Sequence, residues 1–86
     1  MQFLYSREFE KRFKKLPQKL QQRTKERLQL FVENEFHPLL DNHPLQGKYK
    51  NHRSINITGD WRLVFKKIAD DLVRVDLIGT HSELYG

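Results

Sequence analysis

The sequence predicts an α+β fold in which a short N-terminal strand is followed by a two-helix hairpin packed on one face of a mainly antiparallel sheet, in the order β-α-α-β-β-β. Helical periodicity runs through residues 6–36, and apolar and polar residues alternate through residues 53–79. Turn residues interrupt the alternation twice, so the second part divides into three strands. With 86 residues and no internal repeat or linker, we expect a single domain covering residues 1–86.

The first half contains a strand and two helices. Residues 1–5 form a brief strand, and Ser6 is placed to cap the helix that follows. Pro17 ends this helix and opens a second one, which continues toward residue 36 and ends before His37-Pro38. The apolar stripes of the two helices are formed by Phe9, Phe13, Leu16, Leu20, Thr24, Leu28, Phe31 and Val32. A short joint between the helices predicts an antiparallel pair.

The second half contains a loop and three strands. Residues 39–52 are rich in Pro, Gly, Asn and His and are predicted to be an irregular loop. The strands follow at residues 53–58, 61–68 and 72–79, joined by tight turns. The strand side chains expected to face the helices are Ile55, Ile57, Trp61, Leu63, Phe65, Val73, Val75 and Leu77. The opposite side of the sheet, called the outer face below, is expected to be open to solvent and available to a ligand.

Composition excludes several functional classes. The chain has no Cys, which excludes a disulfide scaffold, a Cys-based zinc site and a thiol nucleophile. The spacing of its histidines matches no metal-ligand motif, so we expect neither a metal nor another cofactor. No apolar run could cross a membrane and the N-terminus lacks a signal peptide, which favours a cytoplasmic location. A net charge of +5 favours a polyanionic partner, either nucleic acid or an acidic protein.

Several polar residues of the second half could meet in one concavity. Asp60 lies at the tip of the first hairpin, Asn56 and Arg62 lie on the outer face, and His81 follows the last strand. His43 lies in the loop that leads into the first of the three strands. Imidazoles, a carboxylate and a guanidinium can cleave RNA through its 2′-OH, because they remove one proton, deliver another and stabilise the phosphorane charge. Taken singly, a loop histidine and a turn aspartate are more simply structural, so this hypothesis depends on their convergence.

Residues 43–86 contain HPLQG, an R-x6-DW spacing, GTH and a terminal aromatic-Gly pair, in this order. In these motifs the segment resembles the C-terminal half of a YafQ-like toxin of the RelE/ParE superfamily. Residues 1–42 are similar to it only in length, charge and helical character. The superfamily consists of small basic toxins of type II toxin–antitoxin modules. The resemblance implies a RelE/ParE-like fold and a metal-free endonuclease that cleaves mRNA within the ribosome and inhibits translation.

The resemblance also implies site residues. His43, Asp60 and His81 stand at the family's catalytic positions, and Tyr85 stands at its terminal aromatic, which would stack on or position a base. We expect His81 to be the general acid, with Asp60 or His43 as the base. Asn56 stands where the family has a further histidine, and an amide can bind phosphate but cannot exchange a proton near neutral pH.

The basic side chains of the second half are expected to bind the phosphates of the RNA. Arg53, at a matching motif position, and Arg62 are the candidates for the phosphate clamp. Lys48, Lys50 and Lys66, together with Arg62, are expected to contact the RNA backbone.

Two partners are implied, a cognate antitoxin and mRNA in the A site of the 30S ribosomal subunit. An acidic antitoxin segment that folds on binding suits a basic toxin, and we expect it to cover the outer face or to displace the tail that bears His81 and Tyr85. Two alternatives remain open. The chain could be a ParE-like toxin that inhibits gyrase by binding without cutting RNA. It could also be a catalytically weakened toxin that acts as a binding module, which Asn56 favours.

Overall fold

The computed structural model describes residues 1–86 and shows one five-stranded sheet with two helices on its inner face and a short helix at its C-terminus. The elements are β1 (Gln2–Tyr5), α1 (Arg7–Lys14), α2 (Gln18–Glu33), β2 (His43–Pro44), β3 (Arg53–Thr58), β4 (Trp61–Ala69), β5 (Leu72–Thr80) and α3 (His81–Tyr85). The strand order is β1-β5-β4-β3-β2, with β1 parallel to β5 and the other pairs antiparallel. This architecture confirms the predicted fold class.

The two long helices form where periodicity and capping residues place them. The Ser6 hydroxyl accepts a hydrogen bond from the Phe9 N–H at 3.0 Å and donates to the Asp76 carbonyl at 2.6 Å, so it both caps α1 and ties α1 to β5. α2 ends at Glu33, three residues before the predicted boundary. Asn34 causes this early end, because its backbone is extended and its side chain accepts from the Phe36 N–H at 3.1 Å.

The hydrophobic core lies between the helices and the inner face of the sheet. Phe31 of α2 packs edge-on against Phe65 of β4, with ring centroids 5.1 Å apart. The other buried members of this cluster are Phe9, Leu40, Ile55, Ile57, Leu63, Val73, Val75 and Ile78. None of the helices combines the length and the apolar character that crossing a bilayer requires.

A β-bulge in β5 corrects one predicted face. Val64 pairs with Leu77 but the next residue of β4, Phe65, pairs with Val75, so Asp76 is an extra residue without a partner. The bulge shifts the alternation by one position. Ile78 is therefore buried in the core, whereas Leu77, which the alternation assigned to the core, is only half-buried.

The outer face, which bears the side chains of Ser54, Asn56, Arg62, Val64 and Lys66, is more covered than predicted. Ser54 and Val64 are fully buried. The segment predicted to be an irregular loop contains β2 and two 3₁₀ turns, Pro38–Leu40 and Gly47–Tyr49. Tyr49 from this segment contacts Tyr85 of α3, so both elements fold over the sheet. The C-terminal tail is thus a helix packed on the body of the domain.

Candidate active site

His43 lies on the outer face at the edge of the sheet. It stands opposite Ser54 of β3, whose hydroxyl oxygen is 3.5 Å from the His43 Nε2 atom. The His43 Nδ1 atom lies 2.7 Å from the backbone carbonyl oxygen of Asp41. Because a carbonyl oxygen can only accept, Nδ1 carries the hydrogen, and in the neutral ring Nε2 bears the lone pair. The His43 side chain is 45% exposed, so part of the ring is open to solvent.

Asp60 and His81 are brought together by a backbone hydrogen bond between the β3–β4 hairpin and α3. Gly59 has a φ of +54°, a conformation that favours glycine and permits the tight turn. The His81 N–H donates to the Asp60 carbonyl oxygen at 2.8 Å. Thr80 caps α3 by accepting from the Glu83 N–H at 3.2 Å, which makes His81 the first residue of the helix. Both Asp60 and His81 are exposed, so the structure places two predicted site residues side by side and within reach of solvent.

Tyr85 packs between two other rings. Its ring centroid is 4.8 Å from that of His81, one helical turn earlier, and 5.8 Å from that of Tyr49, both in edge-on geometry. The Tyr85 hydroxyl is buried and has no hydrogen-bond partner. The ammonium of Lys48 lies 5.2 Å from the Tyr49 ring centroid and adds positive charge beside the cluster. The terminal aromatic therefore supports the His81 ring within the protein as well as lying beside the site.

Asn56 and Arg62 stand opposite each other on β3 and β4. The Arg62 Nη1 donates to the carbonyl oxygens of Gly59 and Trp61 at 2.9 and 3.1 Å. These bonds direct the guanidinium toward the hairpin tip that carries Asp60, and they leave its other N–H groups available to a phosphate. The Oδ1 atom of Asn56 is buried without a donor.

The structure places Arg53 away from the outer face, and the phosphate clamp predicted for it stays a prediction. Side chains alternate along a strand, so Arg53 cannot share a face with Asn56. Its Nε donates to the Asn42 Oδ1 at 2.7 Å, and its guanidinium carbon lies 5.6 Å from the Phe36 ring centroid. Arg53 thus holds the residue that immediately precedes His43.

The three predicted RNA-binding lysines differ in their surroundings. Lys48 and Lys50 are exposed in the segment that folds over the sheet. Lys66 is half-buried on β4, where it stands opposite Arg74 of β5. None of the three forms an ion pair within the chain, so their charges are available to an anionic ligand.

Sequence reasoning missed a polar network on the same face. The His52 Nε2 lies 2.9 Å from the Asp76 Oδ2, and the Arg74 guanidinium binds both Asp76 oxygens at 2.7 and 3.2 Å. The hydrogen bond to Asp76 and then its charge raise the pKa of Arg74 above the usual range. Strand spacing places Arg74 and Asp76 two residues apart and could have indicated their pairing. No local signal indicates that His52, in a different element, joins them.

His43 and His81 are both linked to the outer face, because His43 lies against Ser54 and the His81 ring packs on Tyr85, which contacts Tyr49. His43 covers Ser54 on β3. Asn56 lies on the same face of β3, and Arg62 of β4 stands opposite Asn56 beside the hairpin tip. His81 is bound to that tip through its backbone. The histidine, aspartate and glutamate side chains form no group of three or more that could hold a metal ion. The arrangement offers a base with a free lone pair, a second imidazole and a guanidinium around one face of a sheet.

Comparison with solved structures first defines the class of this fold. A YoeB/ParE toxin from Agrobacterium tumefaciens superimposes with a TM-score of 0.77, covering 94% of this chain and 99% of that chain at 15% identity. At this identity the likeness shows the fold alone. A family model described as the bacterial toxin of type II toxin–antitoxin systems, YafQ, matches residues 1–86. The chain belongs to this YafQ toxin family, which confirms the family inferred from the motifs.

Individual relatives agree with this assignment. The chain is 43% identical over 44 residues to the mRNA interferase toxin YafQ of Escherichia coli strain K12. These 44 residues are 51% of this chain and 47% of that protein. The chain thus spans about half the length of the curated relatives it matches. The crystal structure of YafQ from Escherichia coli strain BL21(DE3) covers 99% of this chain and 98% of that chain, with 31% identity and a TM-score of 0.79. The crystal structure of the Escherichia coli DinJ–YafQ toxin–antitoxin complex matches with 32% identity and a TM-score of 0.76, covering 99% of this chain and 97% of that chain.

Proposed function

We propose that this chain is the toxin of a type II toxin–antitoxin pair and that it inhibits translation by cutting mRNA on the ribosome. The observation that carries the proposal is that His43 and Arg62 both lie on the outer face and that the His81 N–H binds the Asp60 carbonyl at the adjoining hairpin tip. Family membership supports the toxin class, and the name of the curated relatives, mRNA interferase, supports RNA as the substrate.

His43 is the general base in this proposal. Its Nδ1–H is committed to the Asp41 carbonyl, which leaves the Nε2 lone pair to take the proton of the ribose 2′-OH. The sequence left Asp60 and His43 as equal candidates for this role. The orientation of the His43 ring favours His43 as the base, and Asp60 then contributes through its backbone carbonyl, which accepts from the His81 N–H and holds the start of α3 at the hairpin tip.

His81 is the general acid. When protonated it delivers a proton to the 5′-oxygen as the phosphorus–oxygen bond breaks, so the proton taken from the 2′-OH by His43 is balanced by one given to the leaving group. Arg62 stabilises the negative charge of the phosphorane through the N–H groups that its carbonyl partners leave free. Lys48, Lys50 and Lys66 attract the RNA backbone.

The proposed partners are a cognate antitoxin and ribosome-bound mRNA, and the proposed location is therefore the cytoplasm. One solved relative was crystallised as a complex of YafQ with the antitoxin DinJ. Because this chain carries a net charge of +5, an acidic antitoxin segment suits it by charge complementarity.

Primer extension on cellular mRNA tests the proposal. Induction of the wild-type chain without an antitoxin should halt growth and produce discrete mRNA ends, and His81→Ala should abolish both while retaining the fold by circular dichroism. As a matched control, His37→Ala removes a histidine outside the site and should remain toxic. Intact mRNA together with DNA damage would instead indicate gyrase inhibition. Ribosome binding with uncut mRNA in a purified system would indicate a binding module.

A further inference from the structure

We propose that His52 is a positioning residue for RNA cleavage: it fixes Tyr49 against Tyr85 and, through Tyr85, fixes the ring of His81. The inference deepens the proposed function and rests on it for the assignment of His81. It is carried by a row of four side chains across the outer face, each packed against the next: His52, Tyr49, Tyr85 and His81.

The row begins at a well-anchored imidazole. The His52 Nε2 lies 2.9 Å from the Asp76 carboxylate and its Nδ1 lies 3.2 Å from the Lys50 carbonyl oxygen. The side chains of His52 and Asp76 are only 21% and 17% exposed. Since both ring nitrogens already face protein oxygens, His52 is not placed to exchange a proton with RNA. Its effect must pass through its neighbours.

Asp76 is held in place by hydrogen bonds to both its backbone carbonyl and its carboxylate. As the extra residue of the β5 bulge it points its side chain onto the outer face, and its carbonyl oxygen accepts from the Ser6 hydroxyl at the start of α1. Arg74 binds both of its carboxylate oxygens. A ring bonded to this carboxylate is therefore held to the sheet and to α1 together.

The turn that carries His52 also carries Tyr49. The His52 N–H donates to the Tyr49 carbonyl at 2.9 Å, and Asn51 between them has a φ of +72°, which closes the turn tightly. The ring centroids of Tyr49 and His52 are 6.4 Å apart, and the two rings are nearly perpendicular. Fixing His52 therefore fixes the place of the Tyr49 ring.

The row ends at the proposed general acid. The Tyr49 ring packs edge-on against Tyr85 at 5.8 Å, and Tyr85 packs against His81 at 4.8 Å. Without the bond from His52 to Asp76, Tyr49 loses its anchor and one side of Tyr85 opens, so the His81 ring gains rotational freedom. A misplacement of about 1 Å in a catalytic group can cost about 100-fold in rate.

Kinetics on ribosome-bound mRNA test the role of His52. We expect His52→Ala to lower kcat by about 10-fold to 100-fold, with KM changed by less than about threefold, because the catalytic geometry and not RNA binding is disturbed. His52→Gln retains an N–H donor for Asp76 and should recover most of the rate. His37→Ala, the matched histidine control, should retain the wild-type kcat. A His52→Ala enzyme with wild-type kcat would overturn the inference, as would an equal loss in the Ala and Gln variants.

Solution NMR of the His81 imidazole tests the positioning without any cleavage. In the wild type the neighbouring Tyr85 ring should shift the His81 ring signals away from their random-coil values. Those signals should move toward random-coil values in His52→Ala and stay in place in His52→Gln. Unchanged His81 signals in folded His52→Ala would refute the positioning role. If the wild type proves unable to cut mRNA, the proposed function fails, and the His81 signals still decide whether His52 positions the ring.

Discussion

A single backbone carbonyl sets the chemistry of His43. Because the Asp41 carbonyl oxygen accepts from Nδ1, the basic nitrogen of the ring is Nε2, which faces the Ser54 hydroxyl. The motif identified His43 as a site residue, but its tautomer depends on Asp41, whose φ of +46° turns the carbonyl toward the ring. This relation is a property of the fold and has no pattern in the sequence.

We expect His43→Asn to lower the cleavage rate by about 100-fold to 10,000-fold, the range typical of a lost general base. The Asn amide can still donate to the Asp41 carbonyl, so the fold should be retained. Cleavage of ribosome-bound mRNA measures the rate, and thermal unfolding checks the fold. A folded His43→Asn variant with the wild-type rate would show that His43 is not the base.

Tyr85→Phe should leave the stability unchanged or raise it by about 1 kcal/mol, because it removes a buried hydroxyl that has no hydrogen-bond partner. The ring contacts with His81 and Tyr49 remain, so cleavage should stay within about twofold of the wild type, whereas Tyr85→Ala should lose both stability and rate. Urea denaturation gives the free energy of unfolding. A destabilisation by Tyr85→Phe larger than about 1 kcal/mol would mean that the hydroxyl makes a bond of its own.

At the scale of elements, periodicity predicted the two long helices, the N-terminal strand and the three consecutive strands, because each buries one apolar stripe or face. It did not predict the bulge at Asp76, since alternation looks unbroken through this residue. It also missed β2 and the two 3₁₀ turns, because these form only when the segment packs on β3 and α3. His52 was missed for the same reason: its partner Asp76 lies 24 residues away.

The capping box that begins α3 should make this helix sensitive to acid. The Thr80 N–H donates to the Glu83 carboxylate at 2.7 Å, and this bond, the Thr80 hydroxyl and the Arg12 charge lower the pKa of Glu83 below its usual value. A carboxyl whose pKa is lower in the folded state stabilises the fold above its unfolded pKa, and this stabilisation is lost as the pH falls through the folded pKa.

We therefore expect Glu83→Gln to lower the melting temperature at about pH 7 and to lower it less at about pH 3, because pH 3 lies below the unfolded pKa of a Glu and part of the stabilisation by the carboxylate is already lost there. Thermal unfolding of both proteins at the two pH values measures this difference. A deficit of the same size at both pH values would show that the charge of Glu83 does not contribute.

For the whole molecule, the net positive charge and the lysines around the proposed site both favour an anionic ligand. The chain carries a net charge of +5, and Lys48, Lys50 and Lys66 lie around the proposed site without ion pairs. The sequence predicted a polyanionic partner from this charge, and its motifs identified the toxin family. The placement of Arg53 on the inner face follows from its alternation with Ile55, whereas the motif fixes only the order of residues along the chain and not the face on which each one lies.

Salt dependence should reveal which lysines contact RNA. Replacing both Lys48 and Lys50 by Gln should reduce the slope of log affinity against log salt by about 0.7 per lysine for single-stranded RNA. Lys19→Gln, on the exposed surface of α2, removes one lysine charge elsewhere and should leave the slope unchanged. Fluorescence anisotropy of a labelled RNA measures the slope. Equal slopes for the double variant and the wild type would remove these lysines from the RNA-binding surface.

In the proposed function, RNA bound at the outer face of this sheet is cut by attack of the RNA's own 2′-OH on the neighbouring phosphate. The most direct measurement is the chemistry of the ends produced from ribosome-bound mRNA. Attack by the 2′-OH leaves a 5′-hydroxyl on one fragment and a 2′,3′-cyclic phosphate, or the phosphate derived from it, on the other. Fragments with a 5′-phosphate and a 3′-hydroxyl, or mRNA that stays intact, would contradict it.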